Sequence, residues 1–167
     1  MKWAQKKAAE RGVPVDDILN EWQGLADTAN ILGTNIHQWI EDFFRGKNPS
    51  LPEDLREIER VNKFLALFDE KLRELEPIEF ECRLFSEKWG LAGTMDSLFL
   101  FKKKYLLVGD WKTNKEFKDD DHPKGRYKKL LHPFGDLWEN NLNEYSIQTN
   151  LYRLMLEEEG DIVTGKQ

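Results

Sequence analysis

Gly93-Thr94-Met95-Asp96, an apolar run to Phe101, the triplet Lys102-Lys103-Lys104 and then Tyr105-Leu106-Leu107-Val108-Gly109-Asp110-Trp111-Lys112 form the stretch that decides the fold. Its two arms are short, apolar and rich in strand-favouring residues, and a polar triplet joins them, so they predict an antiparallel hairpin. Side chains alternate between faces along a strand. Asp110 and Lys112 are therefore expected on one face and Trp111 on the other. A neighbouring strand that carries Asp96 to the same face would set two carboxylates beside an ammonium.

Working outward, Ile78–Ser86 reads as a preceding strand, separated from Leu91–Phe101 by the turn-like Glu87-Lys88-Trp89-Gly90. With Tyr105–Thr113 this predicts a three-strand antiparallel meander. The first third reads helical. Lys2–Arg11 closes at Gly12 and Pro14, Asp16–Ala29 follows with Asp16 as its cap, and another helix starts at Thr34 and stops near Gly46. A longer helix is expected from Pro52 to Glu76, where Leu55, Ile58, Val61, Leu65, Phe68, Leu72 and Leu75 recur three or four residues apart. Residues 114–143 read as a long polar loop, and Asn143 or Glu144 to Glu159 as a final helix. The expected fold class is therefore α/β of the α+β kind: one domain over residues 1–167, helical over 1–76, with its core in 78–160.

At 167 residues and 40% hydrophobic, the chain is long enough for one real core. No leader-like start and no membrane-length apolar stretch is visible, so a soluble cytoplasmic protein with no membrane partner is expected. The lone Cys82 excludes an internal disulfide and any all-cysteine metal site built from this chain alone. The formal net charge of −6 argues against a polyanionic partner until its distribution is considered. Residues 102–129 hold ten Lys or Arg against five Asp or Glu, so basic charge gathers around the hairpin.

Asp96 interrupts an apolar strand, which costs free energy unless the carboxylate is paired, metal-bound or facing water. Asp110 follows Leu106-Leu107-Val108-Gly109, and an ion pair with Lys112 is its simplest structural role. The functional reading is that Asp96, Asp110 and the carbonyl of Trp111 offer hard oxygen ligands to Mg²⁺, in a site that holds phosphate and water. Lys112 would then orient a hydroxide or neutralise charge on the attacked phosphate. His37 and Glu41 project from one helical face, as do Gln148 and Tyr152, each pair four residues apart.

Together these segments resemble the PD-(D/E)XK nuclease superfamily, in particular its RecB-type exonuclease branch, which includes the mitochondrial genome maintenance exonuclease and many phage exonucleases. The resemblance rests on Gly33-Thr34-Asn35-Ile36-His37 with Glu41, on Gly93-Thr94-Met95-Asp96, on Asp110-Trp111-Lys112 and on Gln148 with Tyr152, in the family's order. It implies a restriction-endonuclease-like core with a central mixed sheet flanked by helices. It also implies Mg²⁺ or Mn²⁺ held by Asp96, Asp110 and the Trp111 carbonyl, with His37 as auxiliary ligand and Lys112 activating water. Gln148 and Tyr152 would fall on the branch's QxxxY motif, which contacts DNA, with Lys102, Lys103, Lys104 and Lys115 as further DNA contacts and Glu41 and Thr113 as auxiliary residues. The strand that the family places after the last helix is hardly present in Asp161–Gln167, so that edge is expected either to be truncated or to be completed otherwise.

The function expected is a metal-dependent DNA exonuclease acting on single-stranded or free-ended DNA in phage or bacterial recombination, repair or replication. The lone cysteine cannot form the four-cysteine iron-sulfur staple of some relatives, and no phosphate-binding loop marks a fused motor. The chain would act alone or with a separate recombination or replication protein. A structure-specific or restriction-like endonuclease and a catalytically silent DNA-binding module are the alternatives.

Overall fold

A computed structural model describes residues 2–113 and 128–163. Among these, four α-helices and a three-stranded antiparallel sheet give a mixed α/β chain that divides into two compact units, residues 1–66 and 67–167. No helix of the described residues is long and apolar enough to cross a membrane.

The first unit opens with α1 (Lys2–Arg11), whose Ala4 and Ala8 pack on Ile18 of α2 (Val15–Phe44) beside Val13 and Val15. Sequence predicts two helices between Asp16 and Gly46, yet α2 runs through Gly24, Gly33 and Thr34 without a break. Each glycine costs a helix about 1 kcal/mol. Burial of Ile18, Leu32, Ile36 and Ile40 outweighs it, since each such side chain contributes roughly 1.5–3 kcal/mol. The Thr28 hydroxyl also donates to the Gly24 carbonyl at 2.7 Å. The helix ends in a Schellman turn: Gly46 takes φ +72°, its N–H reaches the Phe43 carbonyl, and the Lys47 N–H reaches that of Asp42. Asp54 caps α3 (Leu55–Leu67) by accepting the Arg56 N–H at 2.7 Å. Phe64 of α3 meets Trp39, Phe43 and Phe44 of α2 edge-on, with ring centroids 6.0, 5.4 and 5.8 Å away.

The helix expected as far as Glu76 stops earlier. After α3 a single π-helical turn spans Phe68–Leu72, and β1 (Leu75–Ser86) then begins. Pro77 biases Glu76 toward extended backbone. Leu75, Glu76 and Pro77 find strand partners in Phe101, Leu100 and Phe99, so pairing overrides the helical spacing of Leu72 and Leu75.

In the second unit β1, β2 (Leu91–Phe101) and β3 (Tyr105–Gly109) form the predicted meander, in the order β1-β2-β3. An irregularity at Ile78 shifts the β1–β2 register by one residue. Lys102 and Lys103, between β2 and β3, both hold positive φ, and the Lys104 N–H closes the turn on the Phe101 carbonyl at 3.1 Å. Ahead of α4 (Asn141–Val163), residues 128–140 form a small looped pair with Lys129 bridged to Trp138. Asn140 Oδ1 accepts the Asn143 N–H at 2.8 Å and so caps α4. Tyr152 and Met155 of α4 pack with Leu84, Met95 and Leu98, making the unit's core.

Candidate functional site

β3 ends at Gly109, so Asp110 to Thr113 are not strand residues and strand alternation does not place them. A side chain holds them instead. The Asp96 carboxylate accepts the Trp111 N–H through Oδ2 at 2.7 Å, supplying the acceptor that a paired strand would have given. The last paired residues are Ser97 and Gly109, and one further step along that register sets Asp96 across from Asp110. Bond lengths alone keep Asp96 Oδ2 within roughly 6 Å of the Asp110 Cα. The two acidic residues, fourteen apart in sequence, are thus brought together.

Trp111 turns its ring toward Phe99, 6.3 Å between centroids, while Asp110 and Lys112 meet. Lys112 Nζ lies 2.6 Å from Asp110 Oδ2, on a carboxylate side chain only 5% exposed. Among the described residues that buried oxygen has no aligned hydrogen-bond donor, so its contact with Lys112 is ionic. Lys112 also donates to Gln148 Oε1 at 3.1 Å, and Gln148 Nε2 donates to the Tyr152 hydroxyl at 2.8 Å. The Lys112 ammonium stands 4.6 Å from the centroid of the Tyr145 ring. Tyr145, Gln148 and Tyr152 are three and four residues apart and form one stripe of α4.

α4 can lie this close because of Gly93, where an added Cβ would stand 2.7 Å from Tyr152 Cε1. Tyr152 is itself 7% exposed, so its ring is core and its hydroxyl is the polar end of the Lys112–Gln148 chain.

Glu81 belongs to this group, although the sequence reading passes over it. It stands between the pairs Phe80–Ser97 and Cys82–Met95, which puts it across from Asp96 in register. Their carboxylate oxygens lie within 4.8 Å of each other. Glu81 alone in β1 takes positive φ, +52°, a conformation that costs a residue with a side chain roughly 1–3 kcal/mol. Glu81 and Asp96 thus set two hard oxygen donors side by side.

The other predicted residues are placed by their own elements. Lys102, Lys103 and Lys104 occupy the β2–β3 turn, six residues along β2 from Asp96, or roughly 20 Å, so they do not surround the carboxylates. Lys102 lies 3.7 Å from Glu74 and Lys104 over the Tyr105 ring. His37, half-buried, and Glu41, ion-paired to Arg45 at 2.7 Å, sit on α2 in the first unit. Thr113 follows Lys112, half-buried. Residues 114–127, Lys115 among them, lie outside the described residues, as do Met1 and residues 164–167.

The chain matches no family model, and no curated protein or solved structure proves similar to it.

Proposed function

We propose that the second unit carries the centre of a metal-dependent deoxyribonuclease with a restriction-endonuclease-like core, hydrolysing single-stranded or free-ended DNA as an exonuclease. The observation behind this reading is one continuous set of contacts. Asp96 holds the Trp111 amide, Asp110 meets Lys112, Lys112 donates to Gln148 and Gln148 to Tyr152, so three of the four resembling segments are linked through the Asp110–Lys112 stretch. That linkage far exceeds what a lone Asp-x-Lys would supply.

The donor set suits Mg²⁺ or Mn²⁺, with Asp96 and Glu81, whose carboxylate oxygens lie within 4.8 Å of each other, as the close pair that would hold it, and with Asp110 and the Trp111 carbonyl as the further oxygens the resemblance implies. When bound, the cation supplies Lewis acidity and a water of lowered pKa. Lys112 keeps a fixed positive charge beside Asp110, where it neutralises charge on a phosphate oxygen. Gln148 and Tyr152 hold that ammonium in place from α4. His37 enters as the auxiliary ligand that the resemblance implies. A recombination or replication protein is the partner class to seek.

The test is hydrolysis of linear and closed circular single-stranded DNA with Mg²⁺ or Mn²⁺, beside a chelator control. Loss of linear DNA alone, abolished by chelation, by Asp110→Asn and by Lys112→Ala, is the expected result. Cleavage of the circle points instead to an endonuclease. DNA binding without cleavage of either form points to a silent module, the reading that a resting Asp110–Lys112 pair also suits.

A further inference from the structure

We infer that Tyr145 is a positioning residue for Lys112, its ring holding the ammonium between α4 and Asp110; the inference rests on the nuclease reading only for its catalytic consequence. An ammonium has three N–H donors. Around Lys112 one of them donates to Gln148 Oε1 at 3.1 Å, while Asp110 Oδ2 forms an ion pair at 2.6 Å and the Tyr145 ring presents its π face with the centroid at 4.6 Å. The Lys112 side chain is 28% exposed, so water competes for it from only part of its surroundings.

The ring has a distinct task. Any cation that engages the Asp110 carboxylate weakens that oxygen's hold on Lys112, and the two contacts from α4 then keep the ammonium from swinging into solvent. Tyr145 is held in turn, since Asn141 Nδ2 donates to its phenol oxygen at 3.4 Å. The aromatic face interacts with Lys112 without binding a divalent cation as a carboxylate would. It therefore fixes the lysine without competing for the metal.

Two variants separate the ring from the hydroxyl: Tyr145→Phe keeps the face and Tyr145→Leu removes it. The first measurement is independent of any activity. The ε-methylene protons of Lys112, assigned with Lys112→Arg, are expected upfield in the wild-type chain and in Tyr145→Phe, and at ordinary lysine positions in Tyr145→Leu. Ordinary positions in the wild-type chain overturn the inference.

The second measurement is the steady-state rate on a fluorescent linear single-stranded oligonucleotide with Mg²⁺. Tyr145→Leu is expected to lower kcat roughly three- to thirty-fold with KM little changed, and Tyr145→Phe to restore the rate. An unchanged kcat in Tyr145→Leu, or a loss carried wholly by KM, overturns the positioning role. If the wild-type chain hydrolyses nothing, the nuclease reading falls, and the proton shifts still decide whether the ring holds Lys112.

Discussion

The Asp96 carboxylate accepts the backbone N–H of Trp111 at 2.7 Å and thereby fastens the segment after β3 to the middle strand. One side chain thus has an observed role as acceptor for the backbone and, on the proposed reading, a separable one as charge for a cation. Asp96→Asn keeps the acceptor and removes the charge. It should unfold in urea near the wild-type midpoint while losing Mn²⁺ affinity by isothermal titration. Asp96→Ala loses both, and should be less stable by about 1–3 kcal/mol because a charge-assisted hydrogen bond is left unmade.

Gly93 and Tyr152 form a contact with no room to spare, at 2.7 Å for an added Cβ. Gly93→Ala should cost about 1–3 kcal/mol in chemical denaturation, the usual result of overpacking a tight interior. Pairing it with Tyr152→Leu should recover part of that loss. Strictly additive losses in the double-mutant cycle would contradict the contact.

The β2–β3 turn places Lys102 at φ +51° and Lys103 at φ +54°, conformations for which asparagine and glycine are better suited. Replacing the pair with Asn-Gly should raise stability by about 1 kcal/mol, seen as roughly 2–4 °C in the thermal midpoint. The same replacement removes two of the exposed lysines. Comparing DNA affinity before and after therefore tests whether the turn takes part in the DNA binding proposed for this chain.

Asp54 is held down to a pKa of about 2, chiefly by the Arg56 side chain and next by the Arg56 backbone N–H, against an ordinary value of 3.8. A carboxyl whose folded pKa is depressed contributes stability above its unfolded value and loses it as pH falls through the folded one. The α3 cap should therefore be intact above about pH 4 and weaken toward pH 2. Following the Asp54 carboxyl carbon by NMR through that window checks it, and Asp54→Asn should remove this part of the acid dependence of unfolding.

Much of the fold is legible in the sequence where local signals agree with pairing. α1 and β2 occupy the predicted residues because glycine, proline and apolar runs bound them without competition. Elsewhere tertiary pairing overrides local pattern, as where Leu75 continues a helical spacing but pairs with Phe101. The Asp96, Asp110, Lys112, Gln148 and Tyr152 grouping is readable because each residue type is unusual where it stands. Glu81 is not. It is one of several glutamates in and around β1, and only the register, set by the irregularity at Ile78, singles it out. Tyr145 is hidden differently: it reads as an ordinary boundary aromatic until its three-residue offset from Gln148 is set beside the position of Lys112.

The separation between the triple-lysine turn and Asp96, roughly 20 Å along one hairpin, makes that hairpin a gauge. A stacked strand advances about 3.4 Å per nucleotide, so any nucleic acid touching both ends must be on the order of six nucleotides long. Shorter fragments can sit at one end or the other, and binding plotted against oligonucleotide length should then step upward where the strand first spans the two.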